Sequence, residues 1–214
     1  MSKINKAVLA DIIGEYQNIL DCIGKDFFQQ KTICLAIAQK KSAAAAEDTK
    51  KIALQIVMSS GTSAQDTLEK NDVLRNLVHI RQSLEKIMLL ISKKINRRIL
   101  FSKWAVDEIS ELINCTQECL KQLSEFFTSN DEEMKDILID RADQCLTQCR
   151  EYYDNHKNRF FKGQCLLESS SIYEPLIAEF REIFQRIRCC VSSYEIFAQQ
   201  FYTDGFLPAI ISKD

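Results

Sequence analysis

Apolar side chains recur along this chain at steps of three and four. The longest run is Leu176, Phe180, Ile183, Ile187, Cys190, Tyr194, Phe197 and Phe201, with no Gly or Pro after Pro175. That spacing returns every side chain to one face of an α-helix, giving a continuous apolar stripe about seven turns long. A strand would need period two, which the run lacks. A hundred residues earlier, Val73, Leu77, Ile80, Leu84, Ile87 and Ile91 repeat the spacing. Polar neighbours recur as well, Ile80-Arg81 against Phe180-Arg181 and Leu84-Glu85-Lys86-Ile87 against Phe184-Gln185-Arg186-Ile187. The echo predicts a tandem repeat of a small helical bundle, since solenoid units are shorter.

The remaining periodicity fills in the other helices. The first begins near Lys3 and carries Ile4, Val8, Ile12, Tyr16, Ile19 and Ile23, with Gly24 as the first punctuation. A second runs from Asp26 to Met58, where the Ala43–Ala46 run suits a close helix approach and Gly61 follows the C-terminus. The third starts at Ser63 or Asn71 and ends near Leu100. Phe101-Ser102 reads as a joint, after which Trp104, Ile109, Leu112, Ile113, Leu120 and Leu123 open a fourth. Ser129 and Glu132 have capping-box spacing ahead of a fifth helix that Gly163 stops after Phe161. Ser171 and Glu174 have the same spacing at the start of the sixth, with Pro175 in its first turn. The expectation is an all-α fold, a tandem pair of three-helix bundles over 1–100 and 101–202 with an irregular tail over 203–214.

Composition narrows the class. Five Gly and two Pro in 214 residues are too few for the turns of a β-rich fold. A net charge of −2 and a pI near 5.8 argue against a nucleic-acid binder. No stretch of about eighteen uncharged apolar residues is present, and the start, Met1-Ser-Lys-Ile-Asn-Lys, lacks the apolar run of a signal peptide. Nine cysteines without an export signal read as reduced thiols in a cytoplasmic protein.

Two three-helix units, each with a conspicuous third helix, resemble the PhoU family of phosphate-transport regulators, most nearly the PhoU-like tail of sodium/phosphate cotransporter homologues. The likeness runs from about Ile12 to Phe201. It rests on the joint at Phe101-Ser102 with Trp104 and Glu108-Ile109, on His156 to Arg159 before Gly163, and on Ser170 to Ile187. It implies a regulator that docks on a phosphate transporter or its signalling partner, at the inner face of the membrane. The family's metal motif is a carboxylate followed four residues later by aspartate, on the third helix of each unit. Those positions here hold Glu85 and Leu89, then Gln185 and Cys189. One carboxylate in four positions cannot neutralise a multinuclear cluster, so Glu85 is read as a solvated charge and no cofactor is expected.

Other constellations are weaker. Cys115/Cys119 and Cys145/Cys149 each share a helix face at i, i+4, and a hairpin would bring them together. They are read as core packing, with a four-thiolate zinc site as the alternative. Adjacent Cys189-Cys190 diverge on a helix. His79 and His156 are read as surface residues. Lys93, Lys94, Arg97, Arg98 and Lys103 form a basic cluster beside the joint, either a solvated helix end or a face toward anionic lipid or acidic transporter loops. No phosphate-cradling loop, zinc-protease motif or nucleophile elbow occurs. The chain therefore reads as a non-enzymatic interaction module with a protein partner. The alternatives are a metal-binding helical protein and an unrelated helical adaptor.

Overall fold

The computed structural model describes residues 6–60, 71–129 and 132–203, with the side chains of the last helix described as far as Ser193. Among these residues the chain is all-helical. The six helices are α1 (Lys6–Gln29), α2 (Ile33–Ser60), α3 (Asp72–Asn96), α4 (Lys103–Ser129), α5 (Glu132–Phe161) and α6 (Leu167–Thr203). None is long and apolar enough to cross a membrane. The Gly61 stop, the start of helix one near Lys3, the Asn130-Asp131 turn and the 204–214 part of the tail lie outside the described residues.

Local chemistry sets the ends. Asn71 caps α3, its Oδ1 accepting from the Leu74 amide at 3.2 Å. The helix closes four residues before Leu100, where Arg98 takes a left-handed φ of 54° and the Ile99 amide returns to the Lys94 carbonyl at 2.9 Å. Ser102 caps α4 through the Ala105 amide, 3.3 Å away. Gly163, at φ 69°, ends α5 as expected, with the Gln164 amide reaching the Arg159 carbonyl at 2.9 Å.

Three expectations about the ends are corrected. Gly24 does not break α1: a Cβ there would touch Ile113 Cγ2 at an ordinary 3.5 Å, and tertiary packing carries the helix to Gln29. The stop is Gln30, left-handed at φ 55°, whose side-chain amide donates to the Phe27 carbonyl. Ser171 does not open α6 either. The helix begins at Leu167, so Ser171 lies inside it and donates back to the Glu168 carbonyl at 2.7 Å. Pro175 is consequently well inside the helix rather than in its first turn.

The stripes set the packing. Val73, Leu77, Ile80, Leu84, Ile87 and Ile91 on α3, and Leu176, Phe180, Ile183, Ile187 and Cys190 on α6, are completely buried. The α3–α6 interface is the most extensive in the molecule. The two helices run antiparallel: Cys190 Sγ lies 3.8 Å from the Val73 carbonyl, Arg186 donates to Asn76 at 3.3 Å, and Lys86 pairs with Glu179 at 3.1 Å. Helices α1 and α4 cross in the same sense, and their buried positions also recur at a spacing of one hundred. Leu9, Ile12, Ile13, Ile19, Leu20, Ile23 and Phe27 answer Ile109, Leu112, Ile113, Cys119, Leu120, Leu123 and Phe127. At the crossing Gln117 donates to the carbonyl of its own counterpart, Gln17, at 2.9 Å.

The four helices α1, α3, α4 and α6 thus enclose one continuous core to which both halves contribute. Helix α2 flanks it, mainly against α1, through Leu35, Ala38, Ser42, Ala45, Thr49 and Ile52; of the alanine run only Ala45 is fully buried. Helix α5 flanks it mainly against α6, through Leu138, Ala142, Cys145, Cys149 and His156. A buried Tyr16 hydroxyl ties α1 to α3 by donating to the Leu77 carbonyl at 2.9 Å.

The mid-stripe residues give a direct test of this packing. Ile87→Ala and Ile187→Ala should each lower stability by about 2–5 kcal/mol in urea titration, the cost of a cavity in a core that cannot collapse freely. A loss below 1 kcal/mol at either position would place that side chain outside the interface.

Candidate functional site

Three joints meet at one end of the bundle. The α1–α2 turn is tied to the end of α3 by Lys94 Nζ, which donates to Gln30 Oε1 at 2.8 Å. The same ammonium sits 5.4 Å from the Phe27 ring centroid and 5.1 Å from that of Phe101. Lys94 is buried, with 2% of its surface exposed, which corrects its placement in a solvent- or lipid-facing cluster. Its stem follows the apolar stripe, three residues beyond Ile91, so the amine ends among rings. Burial pushes its pKa below the usual lysine range, while the two ring faces favour the cation. Lys93, Arg97, Arg98 and Lys103 remain exposed.

Beside it lies a second polar cluster that the sequence pattern did not predict. Arg159 on α5 makes a two-pronged contact with Glu108 on α4, at 2.8 and 2.5 Å, with both side chains largely buried. The Tyr173 hydroxyl from α6 donates to the same carboxylate at 2.5 Å. These bonds raise the arginine pKa, and burial together with the Glu108 contact raises that of Tyr173. Phe101 packs edge-on to Tyr173, and His156 stacks on its other side at 4.4 Å. Only the spacing of Glu108, Arg159 and Tyr173 from apolar stripe positions could have signalled this contact. Periodicity alone does not say which partners meet across helices.

His156 is 1% exposed, which corrects its reading as a surface residue. Its Nε2 lies 3.0 Å from Ser170 Oγ, whose own proton is directed to the Leu166 carbonyl. The ring therefore donates through Nε2, and Nδ1 is left buried without a partner. Burial first, and the Arg159 charge second, hold its pKa below the ordinary histidine value despite Glu174 and Glu108. Ring and serine together fasten the α5–α6 joint.

The four positions of the degenerate metal motif do not meet. Glu85 accepts from Ser42 Oγ at 2.6 Å and pairs with Arg81 at 2.5 Å, so this partly exposed carboxylate also links α2 and α3. Leu89 and Cys189 are exposed, as is Gln185 on α6. The cysteines do converge: Cys115, Cys119, Cys145 and Cys149 are all buried between α4 and α5. The Cys115–Cys145 hydrogen bond and burial push the Cys115 thiol up, and burial beside Cys145 pushes Cys149 up to about 12. Among the described residues no group of three or more His, Cys, Asp or Glu is arranged to hold a metal ion.

A groove of about 640 Å³ runs between α5 and α6. Leu146, Cys149, Ile177 and Pro175 supply apolar lining, and Arg150, Arg181 and Arg188 supply charge. Arg188 pairs with Asp143 at 2.9 Å, and Glu174 is the acid within the groove. Arg150 and Arg181 have no ion-pair partner among the described residues. On α6, Arg181 and Arg188 are two turns apart, roughly 10 Å along the axis, with Gln185 between them. The groove can thus take an elongated anionic partner more readily than a single small anion. Sequence reading missed it because its two walls come from different helices.

No protein-family model, curated protein or solved structure matches the chain.

Two outcomes test the buried cluster. Arg159→Met should cost about 3–5 kcal/mol, because Glu108 would keep only its tyrosine partner in a largely buried site; a change within 0.5 kcal/mol in urea titration would mean the carboxylate is solvated. For His156 the unfolded chain takes up the proton first as pH falls. Stability should drop as pH is lowered through about 6.5 and level off below the folded-state pKa. Titrating urea midpoints from pH 8 to 5 should show this slope in the native chain and a shallower one in His156→Gln. Equal slopes would remove the histidine from the account.

Proposed function

We propose that this chain is a non-enzymatic, cytoplasmic interaction module of the PhoU type, which modulates phosphate uptake or its signalling by docking a helical face onto a transporter or its sensor. The PhoU reading comes from the order and spacing of the sequence features. The pairing of two three-helix units, with the third helix of each at the centre, supports it. The observation that carries the docking itself is the α5–α6 groove, cationic on a chain whose net charge is −2. An acidic helix lying along α6 would present carboxylates at i and i+7, the same repeat as Arg181 and Arg188. Partner contact of this kind needs no resident cofactor.

Deletion of the gene in its source organism should change phosphate uptake, or the transcription that responds to phosphate, between limiting and replete medium. The Arg150→Glu/Arg181→Glu variant, folded by circular dichroism, should fail to restore it. Uptake and transcription identical with and without the gene would sink the phosphate reading. Full rescue by the double variant would move docking to another face.

A further inference from the structure

The end of the bundle that gathers the α1–α2, α3–α4 and α5–α6 joints has a surface unlike the rest. Phe27 meets Phe101 at 6.2 Å and Phe101 meets Tyr173 at 5.9 Å, so the three joints are neighbours at one tip. Six of the thirteen exposed large apolar side chains among the described residues lie there. Phe28 is 53% exposed, Leu100 77%, Trp104 61%, Phe161 83%, Leu166 72% and Leu167 73%. Leu100 and Leu166 reach one another across a shallow pocket of about 250 Å³ between the second and third joints. Exposed cations are interspersed: Lys31 in the first joint, Arg97, Arg98 and Lys103 in the second, Lys162 in the third. None has a carboxylate partner among the described residues. Glu168 and Asp107 are the exposed acids near these joints.

We infer that this tip is a peripheral membrane-binding surface that seats on an anionic lipid leaflet. Large apolar side chains on loop tips and first turns can enter the interface without moving a helix, and tryptophan favours that depth. The surrounding cations stay at the headgroups, where each strengthens binding to an anionic surface. Exposed apolar side chains that gather at one place mark interaction sites more often than ones scattered singly. The tip's exposed cations complement an anionic leaflet, whereas two copies meeting tip to tip would set like charges against each other. The two buried clusters explain why the tip is firm: Lys94 and the Glu108–Arg159 pair hold the joints from beneath. The residues are distinct from those of the α5–α6 groove, so this inference does not depend on which protein docks there.

Trp104 is the chain's sole tryptophan and stands within the patch, which provides a direct reporter. Full-length protein is titrated with vesicles of phosphatidylglycerol and phosphatidylcholine in equal parts, and with vesicles of phosphatidylcholine alone, following co-sedimentation and tryptophan emission. Binding at least tenfold tighter to the anionic vesicles, with a blue-shifted emission, is expected. Arg97→Glu/Lys103→Glu should weaken that binding at least tenfold, and Leu166→Ser/Leu167→Ser should also weaken it. Both pairs are exposed, so the helical circular dichroism and thermal midpoint should stay near those of the native chain. Absence of binding to anionic vesicles would overturn the inference, as would binding that both variants retain in full. An emission shift that appears with rising protein concentration and no vesicles would overturn it too, by assigning the patch to contacts between copies.

Discussion

The antiparallel contact between α3 and α6 is the constraint from which the other packing follows. Each helix carries an uninterrupted stripe that must be covered, and each is covered mainly by the other. Once they cross, α1 and α4 have one place left to bury their own stripes, on either side of the same core. Equivalent residues then face each other across the crossing, as Gln17 and Gln117 do. The two halves of the chain are thereby locked together, sharing a core rather than standing as separate bodies.

The buried ionisable groups Asp26, Lys94 and His156 lie near where the chain changes direction. Lys94 lies between two rings and a glutamine, and Glu108 between an arginine and a tyrosine. An apolar replacement would pack the same volume, and buried ion pairs add little net stability. What these contacts supply is register. A one-turn slip of α3 against α1, or of α5 against α4, would bury an ammonium, guanidinium or carboxylate without its partner, at a cost of several kcal/mol. The joints therefore hold their places although two of the three contain no glycine.

The two surfaces proposed for function differ in kind. The α5–α6 groove follows about four turns of α6 and carries three arginines. The tip is a mixture of aromatic, aliphatic and cationic side chains on three short joints. Both are products of the second half more than the first: α5 settles against α6, whereas α2 settles against α1. That asymmetry builds a groove with arginine walls on one half. It also brings His156 under the α5–α6 joint. A repeat in sequence has thus become two units with different outer faces.

The sequence by itself determined the helices, their buried faces and the hundred-residue echo, because burial on a helix repeats at three and four residues and needs no knowledge of the neighbour. It also determined the stop at Gly163, a left-handed position that glycine occupies without strain. Where an end depends on another helix it misled. Gly24 stays helical because α1 packs against α4 along its length, and Gln30 became the stop because Lys94 and the Phe27 carbonyl hold it there. Only the tertiary structure decided that Lys94 and His156 are buried, that Glu85 is partnered, and that Arg159 reaches Glu108. A charged residue at a helix end reads as solvated in any linear pattern. Whether it is depends on which distant side chain arrives to replace the water.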